Sequence, residues 1–290
     1  MLPDSPDIAG VLALLAPQDI VSHRKCRVGP RTDGGYVMFD ALDGAGPVYS
    51  FGIGANVGFD EDFAQRGRSI FMFDHMIERL PKQHPAFHFM RRGISARDDA
   101  AKQTFSLDYF IRELGHAGRR DLILKMDVEG AEWDVLAEAA PADLDRFQQI
   151  VLEVHCLLQL GDPEFRGTVA RALRKMNENF LLGHVHANNY GRLGVIDGFA
   201  VADVLELTYI RKDLAVGRPS RAFYPLAIDH SNQHHRPDIL LWFYPFLPER
   251  PIRNVAAAVF SYGVFRFIPV ALRSFGMLAW LRIVAPLWRA

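Results

Sequence analysis

Two carboxylates stand one residue apart in Leu124-Lys-Met-Asp-Val-Glu-Gly-Ala-Glu-Trp-Asp-Val-Leu136. Asp127 and Glu129 follow the apolar run Asp121-Leu-Ile-Leu-Lys-Met126, which reads as a buried strand. Gly130 supplies a turn into a helix over 131–140. Acidic groups at the carboxyl end of a central strand lie where open α/β sheets bind their ligands. Such acids must meet water, a cation or a polar ligand, because an unpaired buried carboxylate is costly. The competing explanation is a helix-capping acid beside a solvated one.

A second constellation is Ser50-Phe-Gly-Ile-Gly-Ala-Asn-Val-Gly-Phe-Asp60. Gly52 and Gly54, after a strand, let a ligand approach the backbone closely. Two glycines in a turn are weak evidence alone. The next strand ends at Asp74, about twenty residues on, the separation that suits an acid on a ribose hydroxyl. The pair points to a nucleoside-containing cofactor. The third glycine is Gly58, one residue off the G-x-G-x-x-G spacing of nicotinamide dinucleotide sites.

Two further groups carry histidine: Glu153-Val-His155, and His184-Val-His-Ala-Asn-Asn189. Parallel strand ends share one sheet edge, so Asp127, His155 and His186 can converge over one pocket. A histidine there can take a proton from a substrate hydroxyl near neutral pH. His184 and His186 are expected to point to opposite faces of their strand, so that if one faces the site the other is structural. Asp127, Glu129, His155 and His186 also make a donor set for a divalent cation. Their positions on separate strands form no metal motif, so no residue is assigned as a metal ligand. The loop Asp229-His-Ser-Asn-Gln-His-His-Arg-Pro-Asp238 reads as a reader of polar or anionic groups or as a solvated surface.

Positioning these groups takes alternating strands and helices. Strands are predicted at 48–53, 69–74, 87–93, 122–126, 149–154, 180–186 and 204–210. Helices are predicted from Glu61, over 106–114 with Ser106 as cap, over 131–140 and over 164–179. Arg31-Thr-Asp-Gly-Gly-Tyr-Val-Met38 reads as a turn entering a short strand. The alternation implies βαβ units and a mostly parallel sheet. At 290 residues and 49% hydrophobic content, one large domain with additions can bury a sizeable core. A net charge of -1 gives no case for nucleic-acid binding. Two cysteines make no disulfide framework, and a reducing cytoplasm is the expected location. The first residues lack the charged and apolar regions of a signal peptide.

LKMDVEGAEWDVL at 124–136 resembles the signature of the FkbM-type S-adenosylmethionine-dependent methyltransferases. SFGIGANVGFD at 50–60 is similar to that family's first cofactor loop, and IFMFD at 70–74 to its ribose-binding strand end. DGGYVM, LEVH and HVHANN, at 33–38, 152–155 and 184–189, resemble a branch of it. The resemblance spans about residues 25–240. It implies an α/β, Rossmann-like class I methyltransferase fold, a seven-stranded mostly parallel sheet whose last strand is antiparallel. It implies S-adenosylmethionine as cofactor, with Gly52 and Gly54 at its methionine part and Asp74 at its ribose. Asp127 would lie near the sulfonium, and the adenine near Gly93-Ile-Ser95. Asn56 stands where the common loop has a small residue, which is expected to change how the methionine end is held. Glu129 is left between touching a ligand and bracing the Gly130 turn.

The resulting expectation is O-methylation of a hydroxyl on a sugar, glycan or small polar natural product. His186 or His155 would act as base and Asp127 would orient. A nicotinamide-dependent oxidoreductase and a non-catalytic, membrane-associated cofactor-binding protein are the alternatives. The methyltransferase domain is expected over 1–250. Residues 251–290 are expected to form an apolar, basic, helical extension, with Arg266, Arg273, Arg282 and Arg289 and no acid after Asn254. Pro269 and Pro286 interrupt any long helix there. The segment suits peripheral membrane contact, packing on the enzyme or a subunit surface.

Overall fold

Leu122–Met126, the apolar run before Asp127, is buried at every position and forms the middle of the sheet. A computed structural model describes residues 6–42 and 46–247. In chain order the sheet strands are β1 (Val48–Phe51), β2 (Ile70–Phe73), β3 (Phe87–Met90), β4 (Leu122–Met126), β5 (Phe147–Val154), β6 (Phe180–Ala187) and β7 (Leu205–Arg211). They lie side by side in the order β6-β7-β5-β4-β1-β2-β3. Pairing is parallel from β5 through β4, β1 and β2 to β3. Strand β7 inserts antiparallel between β5 and β6. This is the expected seven-stranded, mostly parallel sheet with an antiparallel last strand.

A strand covered on both faces reads as a continuous apolar run, which is why β4 lacks alternation. Leu122, Leu124 and Met126 join one core cluster, while Ile123 joins another. Burial of each such side chain contributes about 1.5–3 kcal/mol. Four helices bear on the site, α1 (Gly58–Gln65), α2 (Leu107–Glu113), α3 (Glu132–Glu138) and α4 (Pro163–Asn179), and short helices also form at Ile8–Ala13 and Pro141–Leu144. Ser106 caps α2 through Tyr109 N, as expected. Asp162 caps α4 through Glu164 N and Phe165 N, with Pro163 in the first turn.

Some boundaries differ from expectation. Helix α1 starts three residues before Glu61, because the Asn56 side chain receives Gly58 N and so opens the helix early. Helix α3 stops at Glu138, since Ala140 is extended ahead of Pro141. The third strand ends at Met90, and Gly93–Ile94 pairs instead with Thr104–Phe105.

A hairpin of Lys25–Val28 and Tyr36–Phe39 lies over the sheet on the β5 and β7 side. Side chains of the strands hold it by its backbone. Gln149 accepts from Phe39 N and donates to Phe39 O, and Thr208 Oγ1 donates to Val37 O. Tyr36 is thereby brought over the end of β4. Among the described residues no helix is long and apolar enough to cross a membrane. The expected 251–290 extension and its boundary lie outside the described residues.

Candidate functional site

The glycine loop after β1 is fixed from two sides. Gly52 has φ +76°, and a Cβ there would fall 1.6 Å from the carbonyl oxygen of Asp127. Only glycine lets the β1 and β4 ends approach this closely. Lys125 is buried in the central strand, and its Nζ donates to the carbonyls of Phe51 and Gly52. It also lies 3.4 Å from Asp127 Oδ2. On the other side, Asp74 Oδ2 accepts from Ile53 N at 2.9 Å and Gly54 N at 3.0 Å, and Oδ1 accepts from Met76 N at 2.8 Å. Burial opposes ionisation of Asp74, but these backbone N–H groups outweigh it and hold its carboxyl below the ordinary value.

Gly54 is also left-handed, at φ +54°, but its Cβ direction is open space. The loop therefore has a free side at Gly54 and a pinned side at Gly52. Asn56 is not free to meet a ligand with its whole amide. Its Nδ2 donates to Asp33 O at 2.7 Å and its Oδ1 accepts from Gly58 N. It ties the loop to the 30–35 turn, which Arg27 holds through Pro30 O, Thr32 O and Gly35 O. Further along the edge, Ser95 N pairs with Phe105 O while its hydroxyl donates to Arg97 O. The exposed His75 ring lies against Gly93, where a Cβ would come within 2.4 Å of Nδ1.

At the ends of β4 and β5 three donor groups converge. Ligand atoms of Asp127, Glu153 and His155 all lie within 4.8 Å of one another. His155 Nδ1 is 3.2 Å from Glu132 Oε1, and Nε2 is 3.5 Å from both Glu129 Oε2 and Glu153 Oε1. Glu153 Oε1 also accepts from Asn188 Nδ2 at 2.8 Å, and Tyr36 OH lies 3.4 Å from Asp127 Oδ2. Burial alone would lower the His155 value, but Glu132 and Glu153 raise it well above the ordinary one. Burial pushes the Glu153 carboxyl up, assisted by Asp127 and Glu206. His155 thus holds its proton against a surplus of carboxylate.

The Gly130 turn is braced by Glu132, not Glu129. Fully buried Glu132 accepts from Val128 N at 2.8 Å and Gly130 N at 2.9 Å. The Glu129 side chain is 86% exposed at the mouth of the cluster. Glu129 and Cys156 are both left-handed non-glycine residues, at φ 58° and 65°, and each follows a strand that delivers a cluster residue. Backbone conformations this sparsely populated tend to collect at functional sites.

His186 lies apart from this group. Its Nδ1 is 3.0 Å from Glu206 Oε2 and its Nε2 is 3.1 Å from Asp238 Oδ1, in a position 1% exposed. Burial opposes charge there, but Asp238 and Glu206 raise its pKa well above the ordinary value. The expected base and the expected cation ligand therefore has no free nitrogen. His184 shares its face, because residues two apart on a strand point the same way. The expected split between faces is corrected: both rings meet the 229–238 loop. Lys25 Nζ is 3.3 Å from His184 Nδ1, and His184 Nε2 is 2.8 Å from Asp229 Oδ1. The order fits a neutral ring that accepts from lysine and donates to aspartate. The loop is a strap rather than a solvated surface, since Asn232 donates to Asp33 and Glu206, and Asn189 donates to Gln233 O. His234 and His235 remain exposed.

Glu132, Lys125 and Glu206 were not singled out from sequence. The first two lie inside the 124–136 segment, where an acid two residues after the turn glycine and a lysine in an apolar strand were the available signals. Glu206 sits in an apolar strand for the same reason as Lys125, and it is paired only through the fold. A comparison with curated proteins gives no match. The glycine loop, Asp74 and the Asp127–His155 edge all fall within residues 39–179, which match the family model described as the Methyltransferase FkbM domain, and the chain carries a domain of that methyltransferase family.

Proposed function

We propose that the protein is an S-adenosylmethionine-dependent O-methyltransferase acting on a hydroxyl of a sugar, glycan or small polar natural product. One observation carries the reading. The glycine loop, open at Gly54 and pinned at Gly52 against Asp127, adjoins a polar cluster with more acid than base. S-adenosylmethionine supplies an electrophilic methyl group on a sulfonium. Gly52 and Gly54 would admit its methionine end, Asp74, which holds the loop, would meet the ribose, and Gly93 to Ser95 would border the adenine.

The chain's own task is to orient the hydroxyl and accept its proton. Asp127 and Glu153 orient the hydroxyl oxygen. His155, held between Glu132 and Glu153, keeps the carboxylates in register. Glu129, next to His155 and open to water, takes the proton onward. The nicotinamide alternative is disfavoured by the position of Gly58 and by the acid-rich Asp127 turn. The membrane-associated alternative rests on residues outside those described.

Thermal-shift measurements on the full chain test the cofactor. S-adenosylhomocysteine is expected to raise the melting temperature and NAD to leave it unchanged. Transfer of labelled methyl groups to polar, alkali-stable carbohydrate products is expected from a cell extract. Stabilisation by NAD alone, with no transfer, would remove the reading.

A further inference from the structure

We propose that Asp127, Glu153 and His155 form a divalent-cation site that seats the acceptor hydroxyl. The donor types suit a cation such as Mn²⁺ or Mg²⁺, with two carboxylates and one imidazole. The binding half of this proposal stands on geometry alone, and the seating half rests on the methyltransferase reading above.

Three features favour a bound cation over an acidic surface patch. The first is convergence, since the three donor atoms come within 4.8 Å from two different strand ends. The second lies behind the histidine. Glu132 is fully buried and meets His155 Nδ1, which leaves Nε2 directed at Glu153 and Glu129. A carboxylate behind the far nitrogen is the arrangement that orients metal-binding imidazoles. The third is charge. Glu153 has no lysine or arginine within ion-pair distance among the described residues, and it faces Glu206 across the β5–β7 pairing. Asn188 turns Glu153 by one oxygen and brings no charge. A cation binding here displaces the proton at His155 Nε2 while Glu132 retains the one at Nδ1.

Three protein donors leave positions open on a six-coordinate ion. A hydroxyl there loses its proton more readily. In the transfer step the hydroxyl oxygen forms a bond to the methyl carbon as the carbon–sulfur bond breaks. That bond's electron pair stays on sulfur, leaving a neutral thioether, and the hydroxyl proton passes to the Glu129 carboxylate. The open positions favour acceptors with neighbouring oxygens, such as a vicinal diol.

The test uses full-length protein stripped with a chelator and titrated with MnCl₂, following the free-ion signal by electron paramagnetic resonance. One Mn²⁺ per chain is expected to bind. Glu153→Gln is expected to weaken binding by about 10–100-fold or more, and Glu132→Gln, a positioning change, by about 10–100-fold. Glu138→Gln, on the exposed side of α3, is expected to bind as the wild type does. Calorimetry with S-adenosylhomocysteine on the same samples checks that Glu153→Gln still folds and binds cofactor. Absence of Mn²⁺ binding by the wild type, or equal binding by Glu153→Gln, overturns the site. Binding of Mn²⁺ without any gain in methyl transfer overturns the seating role. Failure to bind S-adenosylhomocysteine would instead strike the methyltransferase reading and leave the Mn²⁺ result to decide the site.

Discussion

His155 and His186 end the strands on either side of β7, and each sits among carboxylates, yet their surroundings differ in one respect. Around His186 the accounts close. Glu206 also receives Asn232, Asp238 also receives Ile239 N, and the ring is sealed from water. Around His155 they do not. Glu129, Glu132 and Glu153 meet one ring, Asp127 stands beside them, and Glu129 opens to solvent. A saturated buried ion pair fixes structure, whereas surplus charge at an open edge awaits a ligand.

The largest expected effect contrasts the two rings directly. His186→Ala strands two carboxylates and should cost about 3–5 kcal/mol in urea unfolding. His155→Ala should cost less, about 1–3 kcal/mol, because Glu132 keeps both backbone donors. Equal losses would break the distinction. The reverse contrast is expected in turnover. Glu153→Gln should lower methyl transfer by about 100-fold with the circular-dichroism melt nearly unchanged.

A smaller effect appears with pH in the strap. Burial pushes His184 below its ordinary value, so the folded ring is neutral while the unfolded one takes a proton. Stability from this site is present above about pH 6.5 and declines as pH falls below it, by at most about 1.4 kcal/mol per pH unit. Burial would raise Asp229, but His184 lowers it to about 2, so its contribution is lost only between about pH 4 and 2. Melting temperatures from pH 7 to 2 should fall, and Asp229→Asn should flatten only the part below about pH 4. A rise on acidification would contradict the neutral ring. The smallest effect is at Glu129→Gln, where stability should hold within about 0.5 kcal/mol while transfer slows. Unchanged turnover would remove Glu129 from the proton path.

The sheet was legible because apolar runs and glycine turns report local burial directly. Strand β4 and the cap Ser106 follow from residue type alone. The meeting of Asp127 and His155 was legible for the same reason, since both end strands of one parallel set, whereas the part of Glu153 beside them was not assigned from sequence. Which histidine is free was not. It depends on Glu206 and Asp238, brought to His186 from 20 and 52 residues away. The jobs of Asp74 and Asn56 were half legible. Their positions beside the loop are local, but their backbone partners depend on how the loop closes.

The clasp over the loop sets an order in time. Asn232 reaches Asp33 across 199 residues, and Asp33 in turn reaches Asn56. The residues of the floor lie within 48–155 and can assemble while synthesis continues. The roof cannot, because its last member is among the last described residues to emerge. A nascent chain therefore carries an uncovered floor from the emergence of residue 155 until that of Asn232, and site closure is a late folding event.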